Sequence, residues 1–220
     1  MTRPDTAVID VDGTLVDTNY HHALAWYRAF RRLGRTVPVW QLHRAVGMGG
    51  DQLVPAVAGE SFDARHGDDT RAAWKEEFAE LLPEIEPLAG ADELLAALSE
   101  MFGEQLVLAS SGAPEHVTAY LDLFDGAADL RDRYLTRDDV DRTKPEPDLI
   151  EIAVRQAGGT AAFVVGDSVW DVRAACAAGH PTYAVRTGGF CEAELREAGA
   201  REVFATLAEL RNALPRLVLG

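Results

Sequence analysis

Ala7-Val8-Ile9-Asp10-Val11-Asp12-Gly13-Thr14 is the stretch on which the fold turns. An apolar run of β-type residues, Ala7 to Val11, leads straight into two aspartates one residue apart. Alternation along a strand sends the side chains of Asp10 and Asp12 to the same side and turns Val11 away into a core. Gly13 then permits a backbone turn that residues with a side chain resist. A plain turn after a strand has the same signature, so the rest of the chain must decide between a turn and a site.

Outward from this stretch, further apolar β-type runs fall at Gln105 to Ala109, Ala161 to Val165 and Pro181 to Val185, separated by long segments of helical periodicity. That alternation predicts an α/β fold with a Rossmann-like parallel sheet. Helical stretches are expected at Asp92 to Met101, Pro114 to Leu121, Glu146 to Ala157, Asp171 to Ala178 and Cys191 to Ala198, each punctuated by Pro, Asp or Gly at its ends. Between Thr18 and Glu86 the alternation breaks. No β run is found there, and Ala23, Trp26, Tyr27 and Phe30, then Trp74, Phe78, Leu81 and Leu82, follow helical spacing. Nearly seventy residues is long for a single crossover. The expected organisation is a core of residues 1–17 and 87–220 with an inserted all-helical cap, residues 18–86.

Composition narrows the function. The 220 residues, 47% apolar, suffice to bury about 70% of the surface of the unfolded chain. Lys plus Arg number 21 against 36 Asp plus Glu, a net charge of -15 that repels nucleic acid and anionic membrane. No apolar run of eighteen residues and no signal-peptide pattern is visible, and the only cysteines are Cys176 and Cys191, so a cytoplasmic location is expected. Oligomeric state is not legible.

Ligands of an open parallel sheet bind beyond the carboxyl ends of its strands, and here those ends are reactive. The first carries Asp10 and Asp12, the second Ser110-Ser111-Gly112, and another Gly166-Asp167-Ser168-Val169-Trp170-Asp171, while a loop supplies Lys144-Pro145. Of two carboxylates at one strand end, one can act as nucleophile and the other, protonated by burial and its neighbour's charge, as general acid. Asp167 and Asp171 lie on one helix face and with Asp10 make an oxygen cluster fit for Mg²⁺, although Asp171 also suits the helix N-terminus as a cap. Ser110 and Ser111 precede Pro114 and make an anion site or an ordinary serine cap. Lys144 is one of only two lysines beside 19 arginines, which points to a requirement for a compact ammonium; a solvated loop lysine is the alternative. A phosphate approaching a carboxylate at 4 Å meets a repulsion of about 1 kcal/mol per charge pair in water and ~4 at an effective dielectric of 20. A divalent cation, Lys144 and the serine loop together would offset that repulsion.

In order and spacing, Asp10-Val11-Asp12-Gly13-Thr14-Leu15-Val16-Asp17, Ser110, Lys144 and Gly166-Asp167-Ser168-Val169-Trp170-Asp171 resemble the four motifs of the haloacid dehalogenase superfamily, over nearly the whole chain. The insertion resembles the helical cap of its phosphoglycolate phosphatase and β-phosphoglucomutase-like branch. The resemblance implies Mg²⁺-dependent phosphoryl transfer on a small phosphorylated metabolite. Asp10 would attack, Asp12 would protonate the leaving oxygen and then activate water, and Ser110 and Lys144 would hold the phosphoryl group. Asp10, the Asp12 backbone carbonyl and Asp167 would bind the ion. Asp12 separates the chain from the carbon–halogen and phosphonate branches, which lack that acid. Leu42 to Gly50 resembles the cap loop that selects substrate, with Arg44 placed to greet a second anionic group or else lying at the surface. His22 matches a hinge histidine of the same branch, helix packing being the alternative, and Trp26 extends that match.

Three rivals remain at this stage. A sugar phosphomutase would use the same Asp10. A receiver-like signalling module would use an aspartate, a hydroxyl and a lysine but needs no long insertion. A serine hydrolase would build on Gly166-Asp167-Ser168 and the Asp63-Ala64-Arg65-His66 string, in reversed order. Substrate identity is not legible.

Overall fold

The computed structural model describes residues 3–124 and 127–219. Six short strands form one parallel sheet: β1 Thr6–Ile9, β2 Leu106–Ala109, β3 Tyr134–Leu135, β4 Ala162–Gly166, β5 Thr182–Val185 and β6 Glu202–Phe204, in the spatial order β3-β2-β1-β4-β5-β6. β1 is thus flanked by β2 and β4, and the chain reverses its direction of travel across the sheet there. This is the switch point at which doubly wound sheets leave a crevice.

Alternation along β1 explains why the sheet is covered on both faces. Ala7 and Ile9 enter one apolar cluster and Val8 the other. Helices α1 Asn19–Arg32, α2 Val39–Ala45, α3 Gly50–Ala58 and α4 Glu60–Leu81 follow β1. After them come α5 Ala91–Phe102, α6 Pro114–Leu121, α7 Asp148–Gln156, α8 Val169–Ala177, α9 Glu192–Ala198 and α10 Leu207–Leu219. The first face is closed by α5 and α10, through residues such as Leu94, Leu98, Leu210 and Leu214, and the other by α7 with part of α8, through Leu149, Ile150, Ala153 and Ala174.

The four strands read from the sequence are present with bounds shifted by one or two residues. β3 and β6 were not expected, being two and three residues long, and α10 was not assigned, its Leu207, Leu210, Leu214, Val218 stripe being interrupted by Pro215. Between Thr18 and Glu86 the described residues form helices and no named strand. α1 packs along α4, where Trp26 stacks on Trp74 with ring centroids 5.0 Å apart and Trp74 stacks on Phe78 at 5.5 Å. The chain leaves and re-enters this region side by side: Asp17 N donates to Glu86 O at 3.0 Å and Leu88 N to Leu15 O at 2.9 Å.

Candidate active site

β1 and β4 run in register, with Ile9 opposite Val165, so Asp10 and Asp167 emerge together at the carboxyl end of the sheet. Gly13 makes the turn after Asp12 at φ 77°, and a Cβ there would collide with the side chains of Asn19 and Asp167, so both backbone conformation and space demand glycine. The reward for that close approach is a set of polar contacts on the two aspartates. Thr14 Oγ1 donates to Asp10 Oδ2 at 2.8 Å and lies 3.2 Å from Asp167 Oδ1, while Asn19 Nδ2 donates to Asp167 Oδ2 at 2.8 Å.

Lys144 is 1% exposed and sits at the centre of the negative charge. Its Nζ donates to Asp10 Oδ1 at 2.5 Å and to Ala109 O at 2.9 Å, and lies 2.7 Å from Asp171 Oδ1. Two hydrogen bonds and one further ion pair thus surround the ammonium. The attraction of Asp10 and Asp171 outweighs burial, which works against the charge, and holds Lys144 above its ordinary value. The solvated-loop alternative is therefore excluded.

Asp171 takes the capping role and also pairs with Lys144. Its Oδ2 accepts from Ser168 N at 3.1 Å and from Ser168 Oγ at 2.6 Å, closing a capping box at the start of α8, while Oδ1 faces Lys144. Ser168 is thereby held as a helix cap, and Asp63 of the D-x-x-H string is paired with Arg71 on α4, which removes the serine hydrolase reading.

Carboxylate oxygens of Asp10, Asp167 and Asp171 lie within 4.8 Å of one another, all buried. Three acids around one ammonium leave two uncompensated charges in a low-dielectric site. Burial above all, then the charges of Asp171 and Asp12, push Asp10 up to about 7 against the pull of Lys144; burial and the charges of Asp10 and Asp171 push Asp167 well above the usual carboxylate range. Hard oxygen donors with surplus negative charge fit a divalent cation, which would supply what Lys144 does not. The Asp12 side chain is not in this cluster, and the lone pairs of Asp171 are partly spent on Ser168 and Lys144, so Asp10 and Asp167 are the better-placed ligands.

Asp12 turns the other way. His22 Nε2 lies 2.8 Å from its Oδ1 and Ser110 Oγ donates to its Oδ2 at 2.8 Å. Burial works to raise Asp12, but the attraction of His22 and the hydrogen bonds from His22 and Ser110 win and hold it well below the usual range. The expectation that Asp12 rests protonated is thus corrected: the structure holds it ionised, and it is Asp10 that burial drives toward the neutral form. His22 is no mere packing residue, although its ring also stacks on Phe78 at 4.1 Å.

The pocket above these groups is walled by Asp10, Asp12, His22, Ser111, Gly112 and Arg137, and from the helical region by Trp26, Trp74 and the loop Val46 to Gly50. Ser110 and Lys144 do not line it. Ser110 spends its proton on Asp12 and accepts from Gly112 N at 2.9 Å, standing one layer behind Ser111, whose buried Oγ has no protein partner. Arg44 takes the surface alternative and does not reach the pocket. Its guanidinium pairs with Glu194 of α9 at 2.5 Å and lies 4.0 Å from the centroid of the Phe190 ring, outside the pocket wall, because α2 docks on the loop after β5 rather than over Asp10. The residues missed from sequence are Thr14, Asn19, Trp74, His116 and Arg137. Only Thr14 and Asn19, within nine residues of Asp10, had a local signal.

Residues 4–179 match the family model of the haloacid dehalogenase-like hydrolases. A validoxylamine A 7'-phosphate phosphatase of Streptomyces hygroscopicus subsp. limoneus is 34% identical over 145 residues, 64% of this chain and 66% of that protein. A phosphoglycolate phosphatase of Pseudomonas syringae pv. syringae is 30% identical over 199 residues, 84% of this chain and 70% of that one. A crystal structure described as a hydrolase from Pseudomonas syringae superposes with a TM-score of 0.89 at 28% identity, covering 97% of this chain and 99% of the other. With the aspartate pair, the buried lysine and the second acidic strand end in the places the motifs predict, and with the match spanning most of its length, this chain belongs to the haloacid dehalogenase-like hydrolases.

Proposed function

We propose that this chain is a Mg²⁺-dependent phosphatase that hydrolyses a small organic phosphate monoester through a phosphoaspartate at Asp10. The observation that carries this reading is the Asp10–Lys144–Asp171 chain of buried charges beside Asp167, exposed to the pocket only through Asp10. The phosphatases among the similar proteins support the reaction class.

When bound, the cation would withdraw charge from the phosphoryl oxygens and keep the neighbouring carboxylates ionised. Lys144 and Thr14 fix the Asp10 carboxylate so that an oxygen faces the pocket. Attack by that oxygen on phosphorus forms the O–P bond of the phosphoaspartate and breaks the bond to the leaving oxygen, which takes a proton from Asp12. His22, whose Nε2 shares a hydrogen bond with Asp12 Oδ1, is placed to supply that proton. Asp12, returned to the ionised state in which the structure holds it, then accepts a proton from water as the water attacks phosphorus and frees Asp10 and inorganic phosphate. The Ser111 hydroxyl and the Gly112 turn face the same pocket as Asp10, and there they would meet the phosphoryl oxygens.

Residues 18–86 are read as a cap over a core of residues 1–17 and 87–220. Gly49 N donates to Thr143 Oγ1 at 3.0 Å, Asp51 accepts from Thr143 Oγ1 at 2.5 Å, His43 Nε2 meets Gly188 O at 3.0 Å, and Lys75 pairs with Glu115 at 2.7 Å. Such contacts support a closed arrangement that keeps bulk water from the phosphoaspartate. The substrate is expected to be a small phosphorylated metabolite. No helix among the described residues is long and apolar enough to cross a membrane.

The direct test is release of inorganic phosphate from a panel of monoesters with Mg²⁺ and its loss in EDTA; formation of an isomeric sugar phosphate without net release would favour the mutase. A second test needs no substrate. Asp10 and Asp167 are raised in the folded state above their unfolded values, so each contributes stability that is complete below about pH 4 and is lost as pH rises through the folded value, about 7 for Asp10. Asp12, lowered instead, contributes stability that is lost only as pH falls below about 4. Metal-stripped protein should therefore melt about 3–6 °C lower at pH 8 than at pH 5. Mg²⁺ at a hundred times its dissociation constant should raise the pH 8 midpoint by about 5–11 °C and flatten the slope. A flat profile with no response to Mg²⁺ in scanning calorimetry would remove the cation from the site.

A further inference from the structure

Arg44, expected to meet a second anionic group, is committed to Glu194, yet the pocket does contain a guanidinium. Arg137 stands on the short turn after β3, where Thr136 caps the turn and Arg137 N donates to Gly112 O at 3.2 Å, so its backbone is tied to the loop carrying Ser111. Arg137 lines the same pocket as Asp10 and Asp12, and also a neighbouring one beside Asp51, Arg71 and Lys75. Among the described residues its only carboxylate partner is the adjacent, well exposed Asp138, with Nε 3.4 Å from Oδ1, a contact worth little in water. Its charge is nevertheless felt inside the protein. Burial first, then His22 and Arg137, lower the buried His116 to about 4, and the ring of His116 lies 5.5 Å from that of Trp74.

Trp74 provides an independent observation. It is 5% exposed, it lines that pocket from the side of α4, and its indole Nε1–H is buried without an acceptor. A donor left in that state costs free energy comparable to a lost hydrogen bond unless water or a ligand accepts from it. Arg137, paired only loosely with the exposed Asp138, and an indole N–H with no protein acceptor line one pocket and share one complement: an anionic acceptor. The two acids of the wall, Asp10 and Asp12, are already engaged by Lys144 and Thr14 and by His22 and Ser110.

We propose that Arg137 and Trp74 Nε1–H bind a second anionic group on the substrate, so that the ester cleaved here carries a carboxylate or another phosphate on its leaving portion. This rests on the phosphatase reading and adds its substrate class. The fork of Arg137 suits a planar carboxylate or a phosphate edge, Trp74 supplies one further donor, and Trp26 with Met48 closes the apolar side of the pocket.

The test compares kcat and KM for 2-phosphoglycolate, 3-phosphoglycerate and fructose 1,6-bisphosphate with those for phenyl phosphate and glycerol 2-phosphate. For wild type, at least one doubly anionic ester should exceed both singly anionic ones about tenfold or more in kcat/KM. Arg137→Gln should raise KM for that ester about 10–100-fold and lower kcat/KM for phenyl phosphate at least tenfold less than that. Trp74→Phe, which keeps the ring and removes the N–H, should raise the same KM about 3–10-fold with the same selectivity. Arg137→Lys should recover part of the loss, as a point charge without the fork. Wild-type hydrolysis of phenyl phosphate without preference for a second anion would overturn this proposal and leave the phosphatase reading standing. Equal losses on all five esters in Arg137→Gln would overturn it too, by placing Arg137 on the transferred phosphoryl group. No release from any ester by wild type would remove both.

Discussion

Asp10→Asn is expected to lower phosphate release from phenyl phosphate with saturating Mg²⁺ by at least about 10⁴-fold, with no phosphorylated peptide spanning residue 10 after acid quench. The substitution is nearly isosteric, and the amide oxygen can still accept from Lys144 or Thr14, so the fold should persist. What is lost is the anionic oxygen that forms the bond to phosphorus. The same change removes one of the surplus buried charges shared among Asp10, Asp167 and Asp171, so metal-stripped Asp10→Asn should melt higher than metal-stripped wild type at pH 8. Opposite movements of activity and stability distinguish a nucleophile from a structural acid. Retained turnover, or a phosphorylated residue other than Asp10, would displace it from its role.

Lys144→Met should destabilise the protein by about 3–5 kcal/mol, because it leaves Asp10 and Asp171 buried with their principal counter-charge gone. At this chain length that corresponds to a fall in Tm of about 6–20 °C. Raising pH would not mimic the loss in the neutral range. Lys144 is held above its ordinary value, so its contribution is complete below about pH 10.5 and fades only above it. Activity should fall with stability, since an unanchored Asp10 is both misplaced and easily protonated. The double variant Lys144→Met, Asp10→Asn should be markedly less destabilised than the sum of the single changes, measured by denaturant unfolding. Additivity would show that the two residues are not the coupled pair seen here.

Much of this was legible in order along the chain. The run into Asp10 and Asp12, Ser110, Lys144 and Asp167 each follow an apolar strand or sit in a stiff loop, and strand alternation alone orients the first pair. Helical periodicity in Trp26, Phe30, Trp74 and Phe78 likewise announced the inserted helices. These are local signals, set by the steric and hydrophobic preferences of neighbouring residues, and a sequence displays them without its fold.

Other features had no local signal. Arg44 and Arg137 are the same residue type in comparable polar surroundings, yet one lies against Phe190 and Glu194 and the other lines the pocket. Which arginine meets a ligand depends on how α2 docks and where the turn after β3 ends. In the same way, Asp12 was read as the protonated acid from its nearness to Asp10, but its ionisation follows from His22 and Ser110, ten and ninety-eight residues away. What the sequence by itself determined is the inventory of reactive groups and the strand ends that carry them, since covalent spacing and side-chain periodicity suffice for that. The tertiary structure alone decided which charges are shared, which hydroxyl is free and which cation reaches the pocket, because burial and electrostatic coupling are properties of distance in space.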